Sequence, residues 1–195
     1  MAIVNFFRNL LALVGVVALI GGGVAFDKFN AFKGQLDPEA QRVFKEVGGR
    51  YLETLDLGVS MVKSIPVQEG LTAEDVVEAM KSQAVSNNIL FAGEAPFYKQ
   101  VEAVTGEAYR YVAFYYFCDA KVGAMMVDYN PAYTAFMPCR ISLAQDKQGK
   151  LWLHTMDLDY FIHSGKSLPP ELKEGAQRVA KALNKIMENA AKGEF

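Results

Sequence analysis

The chain is short of the residues that usually announce chemistry. It holds two cysteines, two histidines and one tryptophan in 195 residues. Cys118 and Cys139 form no C-x-x-C, no haem-attachment C-x-x-C-H and no zinc spacing. No glycine-rich phosphate loop, G-x-S-x-G or H-E-x-x-H occurs, so nucleotide hydrolysis, serine-hydrolase chemistry and zinc proteolysis have no motif to rest on. An excess of positive charge is missing too. The net charge is −2 with mixed signs, which argues against nucleic acid as a partner, since that would need a basic patch. There is no internal repeat and no low-complexity tract. These absences favour a binding, accessory or structural protein over an enzyme.

One long apolar run is present at the start. Leu10 to Phe26 reads LLALVGVVALIGGGVAF, uncharged throughout, and Phe6 and Phe7 extend it to 6–26. A helix needs about 20 apolar residues to cross a bilayer core. A signal peptide cut after Ala25 is one reading, with small residues at Gly23 and Ala25. The run exceeds the roughly 7–15 residues of a signal core, which favours an uncleaved N-terminal transmembrane anchor. Gly21-Gly22-Gly23 is poor material for a buried soluble helix. Arg8 and the terminal amine put the N-terminus inside. Lys28 and Lys33 reduce that asymmetry. The expectation is a single-pass inner-membrane protein with its C-terminal part exported, which is periplasmic in a bacterium. The chain then divides into a membrane segment (1–27), a linker and helix (28–55) and a domain (56–195).

Asp37-Pro38-Glu39 starts a helix with an apolar face at Val43, Phe44 and Val47, read as a spacer or lid that stops at Gly48-Gly49. Val59–Val67 reads as a strand. Thr72 and Asp75 form a capping box for a helix that buries Val76, Val77, Met80 and Ala84. Ile89–Ala92 is a short strand and Pro96–Val104 a short helix. Tyr109–Phe117, apolar on both faces, is a central strand. Asp119 caps a helix over Ala120–Asp128, and Ala132–Met137 makes a helical turn. Cys139–Gln145 and Lys150–Met156 form a hairpin about Asp146-Lys147-Gln148-Gly149. Its second strand puts Leu151, Leu153 and Thr155 on one face and Trp152, His154 and Met156 on the other. The last helix begins at Leu168-Pro169-Pro170-Glu171, with a stripe of Leu172, Ala176, Val179, Leu183 and Ile186. This order implies an α+β domain, an antiparallel sheet with two helices on one face.

The candidate site lies where the cysteines meet this pattern. Cys118 ends one strand and Cys139 begins another. Three readings stay open: a disulfide, two buried core thiols, or a working site that is redox-active or binds a soft metal or a sulfur species. The metal candidates are Cys118, Cys139, Met126 and His154, with Met125, Met137, Met156 and His163 in the same region. Thiolates and thioethers suit Cu(I), and imidazole suits copper or haem iron. Arg140 beside Cys139 would lower that thiol's pKa and hold an anion, or else pair with Asp119 or Asp128. Asp157 and Asp159 read as a solvated strand end. No residue is assigned a catalytic role and no cofactor is fixed.

Phe117-Cys118-Asp119-Ala120 and Met137-Pro138-Cys139-Arg140 together resemble the two cysteine motifs of the domain-of-unknown-function family 302 (DUF302), usually Cys-Asn-Pro and Leu-Pro-Cys. The resemblance spans roughly residues 56–190. It departs at Asp119-Ala120, which stand where Asn-Pro is usual. It implies a TATA-binding-protein-like β-α-β-β-β-β-α fold that forms dimers and has no established activity. The combined expectation is a membrane-anchored, exported DUF302-like binding or accessory domain. Its ligand class is a sulfur species, copper or haem, and its partner a second copy or a membrane complex. The alternatives are a thiol–disulfide redox protein using Cys118 and Cys139, and a structural subunit.

Overall fold

The computed structural model describes residues 25–195, with residues 15, 22 and 23. Five strands form one antiparallel sheet: β1 Val62–Pro66, β2 Leu90–Ala95, β3 Val112–Cys118, β4 Cys139–Gln145 and β5 Leu151–Met156. Their order is β1-β5-β4-β3-β2. The β4–β5 hairpin forms where its turn residues demand it. The Asp146 carboxylate accepts the backbone N–H groups of Gln148 and Lys150 and the Trp152 indole N–H, each at 2.9 Å. Gly149 supplies the left-handed residue, with φ 86°.

The helices are α1 Ala40–Thr54, α2 Leu57–Ser60, α3 Ala73–Ser86, α4 Phe97–Thr105, α5 Ala120–Tyr129, α6 Leu158–His163 and α7 Pro170–Ala190, with a 3₁₀ turn at Pro131–Phe136. Thr72 and Asp75 make the expected capping box at α3. One core joins the sheet to the two long helices. Val76, Ala79, Met80 and Ala84 of α3 and Leu172, Ala176, Leu183 and Ile186 of α7 pack with Ala113, Tyr115, Phe117, Ile141, Leu143 and Leu153. These are alternate strand residues, so the in-between ones face the other way. That second face is touched at one end by α4, whose Phe97 ring lies 5.7 Å from Phe114.

Residues 25–33 are helical, and the helix that follows, α1, does not stand off as a spacer. α1 runs through Gly48-Gly49 to Thr54, and its buried face is Ala40, Val43 and Val47. Two buried carboxylates hold it. Asp157 accepts from the Arg50 guanidinium at 2.7 Å and from Lys63 at 3.2 Å. Asp37 accepts from His163 Nδ1 (2.9 Å), Ser167 Oγ (2.8 Å), the Glu39 N–H (3.0 Å) and the Lys173 ammonium. Asp157 is therefore no solvated strand end. It caps α6, a helix whose six residues show no readable period, by accepting the Asp159 N–H. The first strand begins only at Val62, because Asp56 caps a helical turn at Leu57 and accepts the Val59 N–H. The apolar segment 6–26 lies outside the described residues apart from Gly15, Gly22, Gly23, Ala25 and Phe26. Among the described residues no helix is long and apolar enough to cross a membrane.

Candidate functional site

Strand β3 ends at Cys118, and the next residue turns the chain. The Asp119 carboxylate caps α5 by accepting the Val122 N–H at 3.1 Å, and Arg178 of α7 pairs with it at 3.1 Å. Burial alone would raise the Asp119 pKa, but these partners outweigh it and hold the carboxyl below its usual range. The anchored helix crosses α7 closely. A Cβ on Gly175 would stand 2.9 Å from Val122 Cγ2. From the other side, the 3₁₀ turn leads through a cis Met137–Pro138 bond into Cys139, which pairs with Phe117 in the sheet.

Between α5, α7 and residues 136–139 lies an apolar cavity of about 90 Å³. Cys118, Met126, Met137 and Cys139 all line it. Met137 Sδ and Cys118 Sγ lie 3.6 and 3.9 Å from the point a Cβ on Gly123 would occupy. Burial pushes the Cys139 thiol up to about 11, and the nearby Cys118 adds to the shift. Both cysteines are free. No disulfide joins them. Cys139 opposes Phe117 while Cys118 opposes Leu90, so the two start on opposite sides of the pleat.

The same alternation separates Arg140 from Cys139. Arg140 points to the second face, where its guanidinium lies 5.1 Å from the centre of the Phe114 ring. It does not activate the thiol, and Asp119 pairs with Arg178 instead. His154 is also on the second face. Its Nδ1 is 2.8 Å from Ser64 Oγ, and burial lowers its pKa. Of the metal candidates, Cys118, Cys139 and Met126 come together and His154 does not. Met137, noted in the sequence only as lying in the same region, joins them instead. Among the described residues no three of His, Cys, Asp and Glu cluster as metal ligands. Met156 lines the second face rather than the core. Behind the Phe136–Cys139 wall, that face holds a wider groove of about 410 Å³. The aromatic side of the wall, Tyr129, Tyr133 and Phe136, was not foreseen from the sequence. Phe136 meets Phe161 of α6 with ring centres 4.6 Å apart.

The model of the family described as "Domain of unknown function DUF302" matches residues 63–190, a span that contains both cysteine motifs. The chain belongs to the DUF302 family. A solved structure described as "uncharacterized conserved protein DUF302 from Bacillus stearothermophilus" is similar in fold, with a TM-score of 0.55 at 13% sequence identity. The likeness covers 67% of this chain and 98% of that one. At this identity it speaks for the fold alone. None of the curated proteins matches the chain. DUF302 membership accounts for the sheet and the helices α3 and α7, and it assigns no chemistry to the cavity at Cys118 and Cys139.

Proposed function

We propose that this DUF302 protein is a binding or accessory domain that holds Cu(I) in the cavity at the ends of β3 and β4. The observation that carries this is two thiols and two thioethers lining one small apolar space. Soft sulfur donors suit Cu(I), and an apolar lining disfavours the harder, hydrated divalent ions. Haem does not suit a cavity of about 90 Å³. The thiol–disulfide reading requires Cys118 and Cys139 to join, and both are free in this structure. Metal binding would expel the thiol protons, Cys139's being held to about pH 11, so the affinity for Cu(I) should rise with pH.

An anaerobic titration of the full chain with Cu(I) against bicinchoninate tests this. One ion per chain should be withdrawn from the chelator. Cys118→Ser and Cys139→Ser should each abolish the withdrawal, and Met137→Leu should weaken it. A double-serine chain that competes as well as the native one would remove the proposal.

We also propose that residues 6–26 anchor the domain to a membrane with residues 27–195 on the export side. The support is the uncharged run from Leu10 to Phe26 after Arg8. The chain should stay with the membrane pellet in alkaline carbonate, and added protease should digest residues 27–195 on intact spheroplasts. Release by carbonate would refute the anchor.

A further inference from the structure

The second face of the sheet carries a groove that shares its Phe136–Cys139 wall with the sulfur cavity and opens on the other side of it. A groove of about 410 Å³ opens between the start of β1, the 3₁₀ turn and the exposed strand residues. That volume is within the roughly 300–1,000 Å³ of small-molecule sites. Its floor is flat and apolar, with Met61, Tyr116 and Met156 among its lining residues. Its polar side chains are Arg140, Ser142, His154, the Tyr116 phenol and Thr155, whose hydroxyl donates to the Arg140 carbonyl. Among the described residues Arg140 pairs with no carboxylate, whereas Arg42, Arg50 and Arg178 each do. It is held over the Phe114 ring instead, as a cation over a π-face. His154 Nδ1 is 2.8 Å from Ser64 Oγ, and burial lowers the pKa of the ring. Arg140 is the single Asp, Glu, Lys or Arg side chain lining the groove.

We propose that this groove binds a flat aromatic organic anion, with Arg140 taking the acidic group and Tyr116 and the methionines taking the ring. A guanidinium offers a planar fork to a carboxylate or sulfonate, while thioethers and aromatic faces accept a flat apolar body. Met137 and Cys139 line both the groove and the sulfur cavity, but Arg140, Ser142 and His154 line the groove alone, so the anion reading rests on groups that the Cu(I) reading does not use.

The probe is naphthalene-2-sulfonate, titrated calorimetrically into the full chain in a neutral detergent, with naphthalene-2-sulfonamide as its uncharged counterpart. The sulfonate should bind one per chain and the sulfonamide at least tenfold more weakly. Arg140→Gln should weaken the sulfonate at least tenfold and bring it level with the sulfonamide, with Arg140→Lys falling between. Ser142→Phe, which fills the groove, should abolish binding, while Lys181→Ala, on the exposed side of α7, should leave it unchanged. Circular dichroism checks that each variant is folded. Equal binding of the sulfonate by native and Arg140→Gln chains would overturn the proposal, as would no binding by the native chain.

Discussion

Cys139 and Arg140 are neighbours in sequence and lie on opposite faces of β4, and this sets the reactivity of the thiol. The cation that would favour a thiolate is on the far side of the sheet, and burial keeps Cys139 protonated to about pH 11. Alkylation by iodoacetamide should therefore be slow at pH 8 and accelerate up to about pH 11. The same shift bears on stability. An unfolded thiol loses its proton near pH 8.5, so between that value and about 11 the folded chain holds a proton that the unfolded chain does not. Stability must fall as pH rises through this window, by roughly 2–3 kcal/mol across it. Urea midpoints of native and Cys139→Ala chains compared at pH 7 and pH 10.5 check this, because the variant should lack that part of the decline. Strand parity was legible here. The alternation of Leu151, Leu153 and Thr155 against Trp152, His154 and Met156 came straight from the pattern, and both Leu153 and Thr155 are buried. The same rule separates Cys139 from Arg140, and the expectation of an activated thiol took adjacency in sequence for adjacency in space.

At the scale of elements, the closeness of α5 and α7 determines the shape of the sulfur cavity, and Gly175 permits it. With a Cβ placed 2.9 Å from Val122 Cγ2, Gly175→Ala must push the helices apart or force the valine off its rotamer. Overpacking of this kind costs about 1–3 kcal/mol. Adding Val122→Ala should recover part of the loss, an outcome that helix propensity alone would not give, and a urea series on the four combinations measures it. Asp119→Ala should cost about 1–2 kcal/mol in the same assay, because it strips the cap from α5. The elements that could be read were those with strong local grammar: the Thr72 capping box, the Asp146–Gly149 hairpin and the apolar stripe of α7. Those missed were specified from a distance. The six residues of α6 have no periodicity to display. Asp157 gives no sign in the sequence that it will be buried by Arg50, 107 positions away. The turn before Met137 was readable, and it forms at Pro131–Phe136, but nothing local says that the Met137 side chain will enter the cavity.

For the molecule as a whole, the question is whether the residues before the family domain are an appendage or part of its stability. The DUF302 match begins at residue 63, yet two buried carboxylates on either side of that point are paired across it. Asp37 reaches forward to His163, Ser167 and Lys173, and Arg50 reaches forward to Asp157. Burial would raise the Asp37 pKa, but the hydrogen bonds from Lys173, His163, Glu39 and Ser167 outweigh it and hold the carboxyl well below the usual range. A carboxylate depressed in this way adds stability above its unfolded value of about 3.9 and loses it as pH falls toward the folded one. A chain of residues 56–195 should thus be less stable than one of residues 27–195 by about 3 kcal/mol at pH 7. It leaves His163 buried without its carboxylate and Asp157 with Lys63 alone, and breaking a buried pair costs about 3–5 kcal/mol. Asp37→Asn in the longer chain should reproduce part of that loss. The difference between the native and Asp37→Asn chains should shrink as the pH is lowered below about 4, where the unfolded carboxyl is already protonated. Urea midpoints at pH 7 and pH 3 decide it. Equal midpoints for the two truncations would make residues 27–55 an appendage, and a lower midpoint for the shorter chain would make the tether and the domain a single folding unit.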